Sequence, residues 1–103
     1  MARIGQPYTS GNWIVKEGQQ DEFIERWTAF VRWAAENENG AESFVLIQDG
    51  RDPRHFVSLG AWDAIETVDD WRSRPEFAEH LGRCRELCDD FQASDLTVAA
   101  AVP

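Results

Sequence analysis

The stretch VDDWRSRPEFAEH, residues 68–80, gathers Trp71, Arg72, Arg74, Phe77 and His80 around one proline. Such side chains can wall an aromatic pocket, hold an anion and move a proton. An imidazole with an ordinary pKa of about 6.5 can act as a general base near neutrality, which makes His80 a candidate base or orienting group. On a helical wheel His80 lies at the edge of the Phe77 stripe, where a histidine is more commonly a hydrogen-bonded boundary residue. His80, Cys84 and Cys88 also recur one helical turn apart, a spacing that can present metal ligands. No fourth ligand stands near them and both cysteines coincide with an apolar stripe, so they read as core packing, and no metal is expected. Arg72 and Arg74 can hold an acidic substrate group, close a pocket mouth, or pair in solvent with the many acids.

Five tryptophans and six phenylalanines in 103 residues are enough to line a space with ring faces, which suits a flat, apolar, polycyclic ligand. Trp13, Trp62 and Trp71 are the pocket candidates. Trp27 reads as core filler on a helix stripe, and Trp33 departs from that stripe as an interface residue would. The glycines form no phosphate-binding pattern, and no Ser-His-Asp or Cys-His set carries a supporting signature.

Nineteen Asp and Glu against ten Lys and Arg give a formal charge of −9. That surface repels phosphate backbones and anionic headgroups, so neither nucleic acid nor a membrane surface is an expected partner. No apolar run approaches the ~20 residues of a membrane span, and MARIGQPYTS has no signal-peptide core, so the expected location is the cytoplasm. Two cysteines make no disulfide framework. With 43% hydrophobic residues and few Gly or Pro, the chain reads as one folded domain over residues 8–103 behind a loose lead-in, residues 1–7.

The elements that must position the candidates follow from periodicity. Tyr8 to Lys16 alternates as a strand, with Trp13 and Val15 on one face and Asn12 and Ile14 on the other, until Gly18 stops it. Asp21 and Glu22 suit a helix start, and Phe23, Trp27, Phe30, Val31 and Ala34 fall on one face of that helix. NENG at 37–40 ends it, with Gly40 free to adopt a positive φ. Residues 43–48 and 55–62 form a hairpin across DGRDPR. Asp63 and Glu66 resemble a capping box for a short helix carrying Ala64, Val68 and Trp71 on one face. Pro75 restarts the helix, with Phe77, Leu81, Cys84, Cys88 and Phe91 as its stripe. Leu96 to Val102 reads as the last strand.

The order is β-α-β-β-α-β with the second helix broken, an α+β, ferredoxin-like split βαβ arrangement with an antiparallel sheet. Its strands carry large apolar groups on both faces: Phe44 and Leu46 oppose Val45 and Ile47, and Phe56 and Trp62 oppose Val57 and Leu59. A second apolar face left in water is costly, so a homodimer joined through the sheet faces is expected.

The text WIVKEGQQDEFIERW resembles the strand, K-x-G and acidic-aromatic helix that open antibiotic biosynthesis monooxygenase-like proteins. DPRHFVSLGAWDAIETVDDWRSRPEFAEH resembles the D-P, paired-Trp and Phe segment of the same family, and the similarity runs over roughly residues 12 to 91. It implies a dimeric α+β barrel. Family members include oxygenases that convert polycyclic aromatic phenols to quinones with O₂ and without metal or flavin, so the resemblance implies a small aromatic ligand and no cofactor. On that reading Trp71 and Trp62 wall the pocket, with Trp13, Phe77 and Arg72 also toward substrate. His80 is the base or orienting group, with His55 or a water held by Asn12 as alternatives. A non-catalytic aromatic-ligand binder or partner protein of a biosynthetic cluster is the alternative function.

Haem-degrading members form a third possibility. They use an Asn on the first strand, a Trp on the short helix and a His on the next. Trp71 matches that Trp, but His80 falls one residue early, with Leu81 in the ligand position. The Asn position falls on Gly11, with Asn12 beside it. One residue along a strand reverses the face, so Asn12 is expected to point away from that pocket.

Overall fold

The computed structural model of the chain describes residues 2–103. Its elements run β1 (Pro7–Val15), α1 (Gln20–Asn37), β2 (Ala41–Gln48), β3 (His55–Trp62), α2 (Ile65–Ser73), α3 (Pro75–Arg85) and β4 (Cys88–Thr97). The strands form one antiparallel sheet in the order β2-β3-β1-β4, with the helices packed on one face. This is the expected α+β, ferredoxin-like fold. No helix among the described residues is long and apolar enough to cross a membrane.

Local chemistry accounts for most boundaries. Along β1, Gly11, Trp13 and Val15 are buried while Asn12 and Ile14 are half-buried on the other face. Gly18 turns the chain out of the strand at φ +83°, where a side chain would be strained. Phe23, Trp27, Phe30 and Ala34 form the buried stripe of α1. In the hairpin turn, Asp49 Oδ1 accepts from the Arg51 N–H at 2.8 Å and Asp52 Oδ1 from the Arg54 N–H at 3.0 Å, Asx turns that bend the backbone. Arg74 is extended at φ −73°, ψ 136°, as the residue before proline prefers, and Pro75 opens α3 where its missing N–H costs little. The Arg74 guanidinium secures this corner, donating from Nε to Glu38 Oε1 at 2.7 Å and from Nη2 to the Asn37 carbonyl at 3.1 Å.

Other expectations are corrected. The stripe read as one helix through Cys88 and Phe91 stops at Arg85, and the last strand is Cys88–Thr97 instead of 96–102. Spacings of four and three residues fit a helix face, but DDFQAS is rich in side chains that compete with helical backbone. Pairing with β1 from Pro7–Thr97 to Val15–Cys88 satisfies those amides instead. Gly40 does not take a positive φ; it is needed because a Cβ there would lie 2.1 Å from Asp63 Oδ1. Asp63 forms no cap on α2, since its Oδ1 accepts from the Thr67 hydroxyl at 2.7 Å. The lead-in is tied down from Arg3 to Gln6. Buried Gln6 donates from Nε2 to Glu42 Oε1 at 3.0 Å and to the Trp62 carbonyl at 3.2 Å, and backbone bonds join Gly5 and Gln6 to Val98.

Both cysteines are free. Burial pushes the Cys84 thiol up to about 12 and the Cys88 thiol up to about 11, so neither is a nucleophilic thiolate near neutrality. On the outer face of the sheet, Val45, Ile47 and Leu96 remain 45–50% exposed, with Val57 and Leu59 half-buried beside them.

His80 joins α3 to α1. Its ring stacks on Phe30 at 5.7 Å and 7° and on Trp33 at 5.2 Å and 28°. Burial first, then the Arg83 charge, hold its pKa below the ordinary histidine value. The fold therefore favours the neutral ring. The unfolded chain takes up a proton as pH falls through about 6.5, and this contribution to stability is lost as pH drops from there toward the folded pKa. Thermal unfolding of the wild type should weaken between about pH 7 and pH 5 more steeply than that of His80→Phe, which keeps a stacked ring without the proton. Parallel curves for the two proteins would show that His80 is not linked to folding.

Candidate functional site

The space between helices and sheet is a matter of cross-strand rows. On the inner face, one row is Gln48–Phe56–Trp13–Phe91, the next is Leu46–Ser58–Gly11–Ala93, and the next is Phe44–Gly60–Thr9–Asp95. The first row has three aromatic rings and fills the gap to the helices. The centres of the next two carry almost no side chain. Helices spanning that shallow floor cannot reach it, and a cavity of about 390 Å³ remains, walled by Trp27, Phe30 and Val31 of α1, Trp71 of α2 and Phe77 and Leu81 of α3. Both floor glycines are sterically required. A Cβ on Gly11 would lie 2.7 Å from Ser58 Oγ and from Trp13 Nε1, and one on Gly60 would lie 2.9 Å from the Phe44 ring and from Thr9 Oγ1.

The aromatic walls are held in fixed orientations. The Trp13 indole N–H donates to Ser58 Oγ at 3.0 Å, and that of Trp62 donates to Thr9 Oγ1 at 3.1 Å. Trp71 lies nearly parallel to Phe30 at 5.5 Å, edge-on to Phe77 at 4.7 Å and tilted against Trp62 at 4.7 Å. Its own Nε1–H is buried without an acceptor, an unusual state for an indole packed in a core.

At one side of the cavity Arg72 reaches from α2 to Asp95 on β4. Nη1 donates to Oδ2 at 3.0 Å and Nη2 to Oδ1 at 2.6 Å, a two-pronged pair that is directional as well as charged. The Arg72 hydrogen bond holds the Asp95 carboxyl below the usual carboxylate range, and Asp95 raises the guanidinium in return. Among the described residues that line the cavity, these two alone carry charge, and none is a His or Cys.

The sequence-derived candidates therefore separate. Trp71, Trp13, Phe77 and Arg72 line one cavity. Trp62 is completely buried behind Trp71 and acts as its backing. His80 is outside the lining, between Phe30 and Trp33. Asn12 faces the other side of the sheet, with Oδ1 2.6 Å from His55 Nε2, while His55 Nδ1 is 2.9 Å from Asp49 Oδ2. That histidine bond holds the Asp49 carboxyl below its ordinary range, with the Arg51 amide assisting. Arg74 is taken up by Glu38, whose burial raises its pKa against the opposing pull of that partner. Asp95 and the small residues Gly11, Ser58, Gly60 and Ala93 escaped the sequence reading. The alternation Phe91, Ala93, Asp95 signals the two β4 residues, Ala93 and Asp95, once that strand is started at Cys88.

Residues 11–83 match the family described as antibiotic biosynthesis monooxygenase. No curated protein matches the sequence. Among solved structures, the chain is similar to SnoaB, a cofactor-independent oxygenase from Streptomyces nogalater, at 16% identity and a TM-score of 0.86 over 96% of this chain and 98% of that one. It is similar to a conserved protein of unknown function from Bacteroides thetaiotaomicron at 14% identity and a TM-score of 0.80, over 93% and 100% of the two chains. A conserved protein from Methanosarcina mazei is similar at 16% identity and a TM-score of 0.80, over 91% and 93%. These likenesses show a shared fold, and the match over β1 to α3 shows the family: the chain belongs to the antibiotic biosynthesis monooxygenase family.

Proposed function

We propose that this chain is a cytoplasmic monooxygenase that oxidises a small aromatic or polycyclic phenol with O₂, without bound metal or flavin. The observation that carries this reading is the aromatic-walled cavity over a floor of Gly11, Ser58, Gly60 and Ala93. A flat ring system can lie on such a floor between indole and phenyl faces, and its volume suits a bicyclic or tricyclic molecule. Trp71, Trp13 and Phe77 orient the ring, and Arg72 meets its oxygen substituent. A phenolate is rich enough in electrons to react with O₂ directly, so the protein's part is to ionise it, hold it and exclude water. Overall, the phenol and O₂ become a quinone and water, with two hydrogens of the substrate leaving on one oxygen atom. The SnoaB likeness supports the family's oxygenase side without assigning this substrate.

We also propose that the working form is a homodimer joined through the outer sheet faces, supported by the exposed Val45, Ile47 and Leu96. Burying such a face follows from the cost of leaving apolar surface in water.

The activity test is oxygen uptake with dithranol, a tricyclic phenol, measured above its spontaneous rate. Wild type should consume oxygen, and Trp71→Ala should lower kcat/KM by about tenfold or more, because it removes a wall that orients the ring. Ala93→Trp should fill the floor and abolish quenching of protein fluorescence by the same compound while the far-UV spectrum is retained. Quenching without oxygen uptake in the wild type would favour a non-catalytic ligand binder. For the assembly, sedimentation should give a dimer for the wild type and a monomer for Ile47→Lys; a wild-type monomer would sink the dimer proposal.

A further inference from the structure

We propose that Asp95 is the proton acceptor of the cavity, and that Arg72 moves from the Asp95 carboxylate to the substrate oxygen as the proton transfers. This rests on the phenol-oxidising reading above. Few ionisable groups are placed to reach a ligand in the cavity. His80 is stacked between Phe30 and Trp33, and His55 lies with Asn12 and Asp49 across the sheet. Asp95 and Arg72 are the ionisable residues in the lining among those described. Asp95 stands directly across from Thr9 in the β1–β4 register, on the inner face where the Thr9 hydroxyl receives the Trp62 indole N–H. Its side chain is 53% exposed, so a proton delivered to it can also leave to solvent.

A lone aspartate is a poor base for a phenol, because their ordinary pKa values are about 4 and about 10. The pair changes that comparison. In the resting state Arg72 is held by two hydrogen bonds to Asp95. When a phenol enters, its O–H bond breaks, the proton goes to an Asp95 oxygen, and the electron pair stays on the substrate oxygen. The carboxyl is now neutral and holds Arg72 weakly, so the guanidinium pairs with the phenolate. One positive and one negative charge are present before and after, and the site never holds an unpaired anion. The resting hydrogen bond lowers the pKa of Asp95, and the exchange reverses that effect by withdrawing Arg72 as the proton arrives. The pair is partly open to solvent, where an ion pair contributes little to stability, which leaves it free to exchange. Asp69, also on α2, adds a weaker negative charge toward Arg72, and a guanidinium stays protonated throughout such an exchange. In the oxygenation that follows, the proton stored on Asp95 returns to the oxygen atom that leaves as water. The second hydrogen of that water comes from the ring carbon that gains oxygen.

The test uses Asp95→Asn and Arg72→Gln in the full chain, with folding checked by far-UV circular dichroism. With dithranol near neutral pH, Asp95→Asn should lower kcat/KM by about a hundredfold, the usual scale of a lost general base. Its activity should recover as pH rises into the range where dithranol ionises by itself. A structural ion pair would not produce that pH-dependent rescue. The second probe is 4-nitrophenol, whose ionised form is yellow. Bound to wild type it should ionise at a lower pH than when free. Asp95→Asn should enlarge that shift, because Arg72 then has no carboxylate competitor, and Arg72→Gln should remove it. Wild-type rate and pH profile in Asp95→Asn, or an unchanged nitrophenol shift in both variants, would overturn the proposal. If wild type shows the nitrophenol pattern but never consumes oxygen with dithranol, the oxygenase reading fails while the proton exchange stands. Failure to bind either probe overturns both.

Discussion

Two cross-strand rows of small residues leave a gap beneath the helical layer, and the arrangement of the molecule around its cavity depends on that gap. A protein interior is normally packed to crystal-like density, so an unfilled space of this size needs a reason in the side chains that border it. Here Ser58, Gly11 and Ala93 in one row and Gly60 and Thr9 in the next lie beside the aromatic row of Phe56, Trp13 and Phe91. The aromatic row carries the helices at one end, and the small rows leave them unsupported in the middle. Hydrogen bonds from Trp13 to Ser58 and from Trp62 to Thr9 use the floor's hydroxyls to stop the indoles from collapsing into the gap.

The proline break between α2 and α3 is the complementary device on the helical side. A continuous helix from Ile65 to Arg85 would carry Trp71 and Phe77 along one straight axis. The extended Arg74 and the restart at Pro75 let both rings turn onto the same cavity, meeting edge-on at 4.7 Å. Arg74 spends its guanidinium on the corner itself, through Glu38 and the end of α1, whereas Arg72, two residues earlier, turns to Asp95. Neighbouring arginines in the sequence thus have separate duties, one in holding the fold and one at the cavity mouth.

Much of the fold was legible along the chain. Trp13 and Val15 alternate with Asn12 and Ile14, the spacing from Phe23 to Ala34 is helical, and Asp49-Gly50 with Asp52-Pro53 marks the hairpin; each is a short-range signal. Trp71, Trp13, Phe77 and Arg72 were equally accessible, since a pocket wall is built from the side chains that any core would select. The end of α3 was harder. Phe77, Leu81, Cys84, Cys88 and Phe91 keep a helical spacing through a boundary that is set by pairing with β1, a contact between residues over seventy positions apart. That single displacement hid Asp95, because a strand begun at Leu96 excludes it.

By itself the sequence determined the order of elements, the break at Pro75, the two-faced apolar sheet and the inventory of aromatic rings, because periodicity, proline sterics and composition act within a few residues. Tertiary structure alone decided which of those rings share a space. His80 and Asn12 have suitable chemistry, yet one is stacked between helices and the other faces away across the sheet. Gly11 and Gly60 have no chemistry of their own and still create the cavity, since its existence depends on which strands lie side by side and in what register. Register is a property of pairs of distant segments, and only the folded chain brings Asp95 within reach of Arg72.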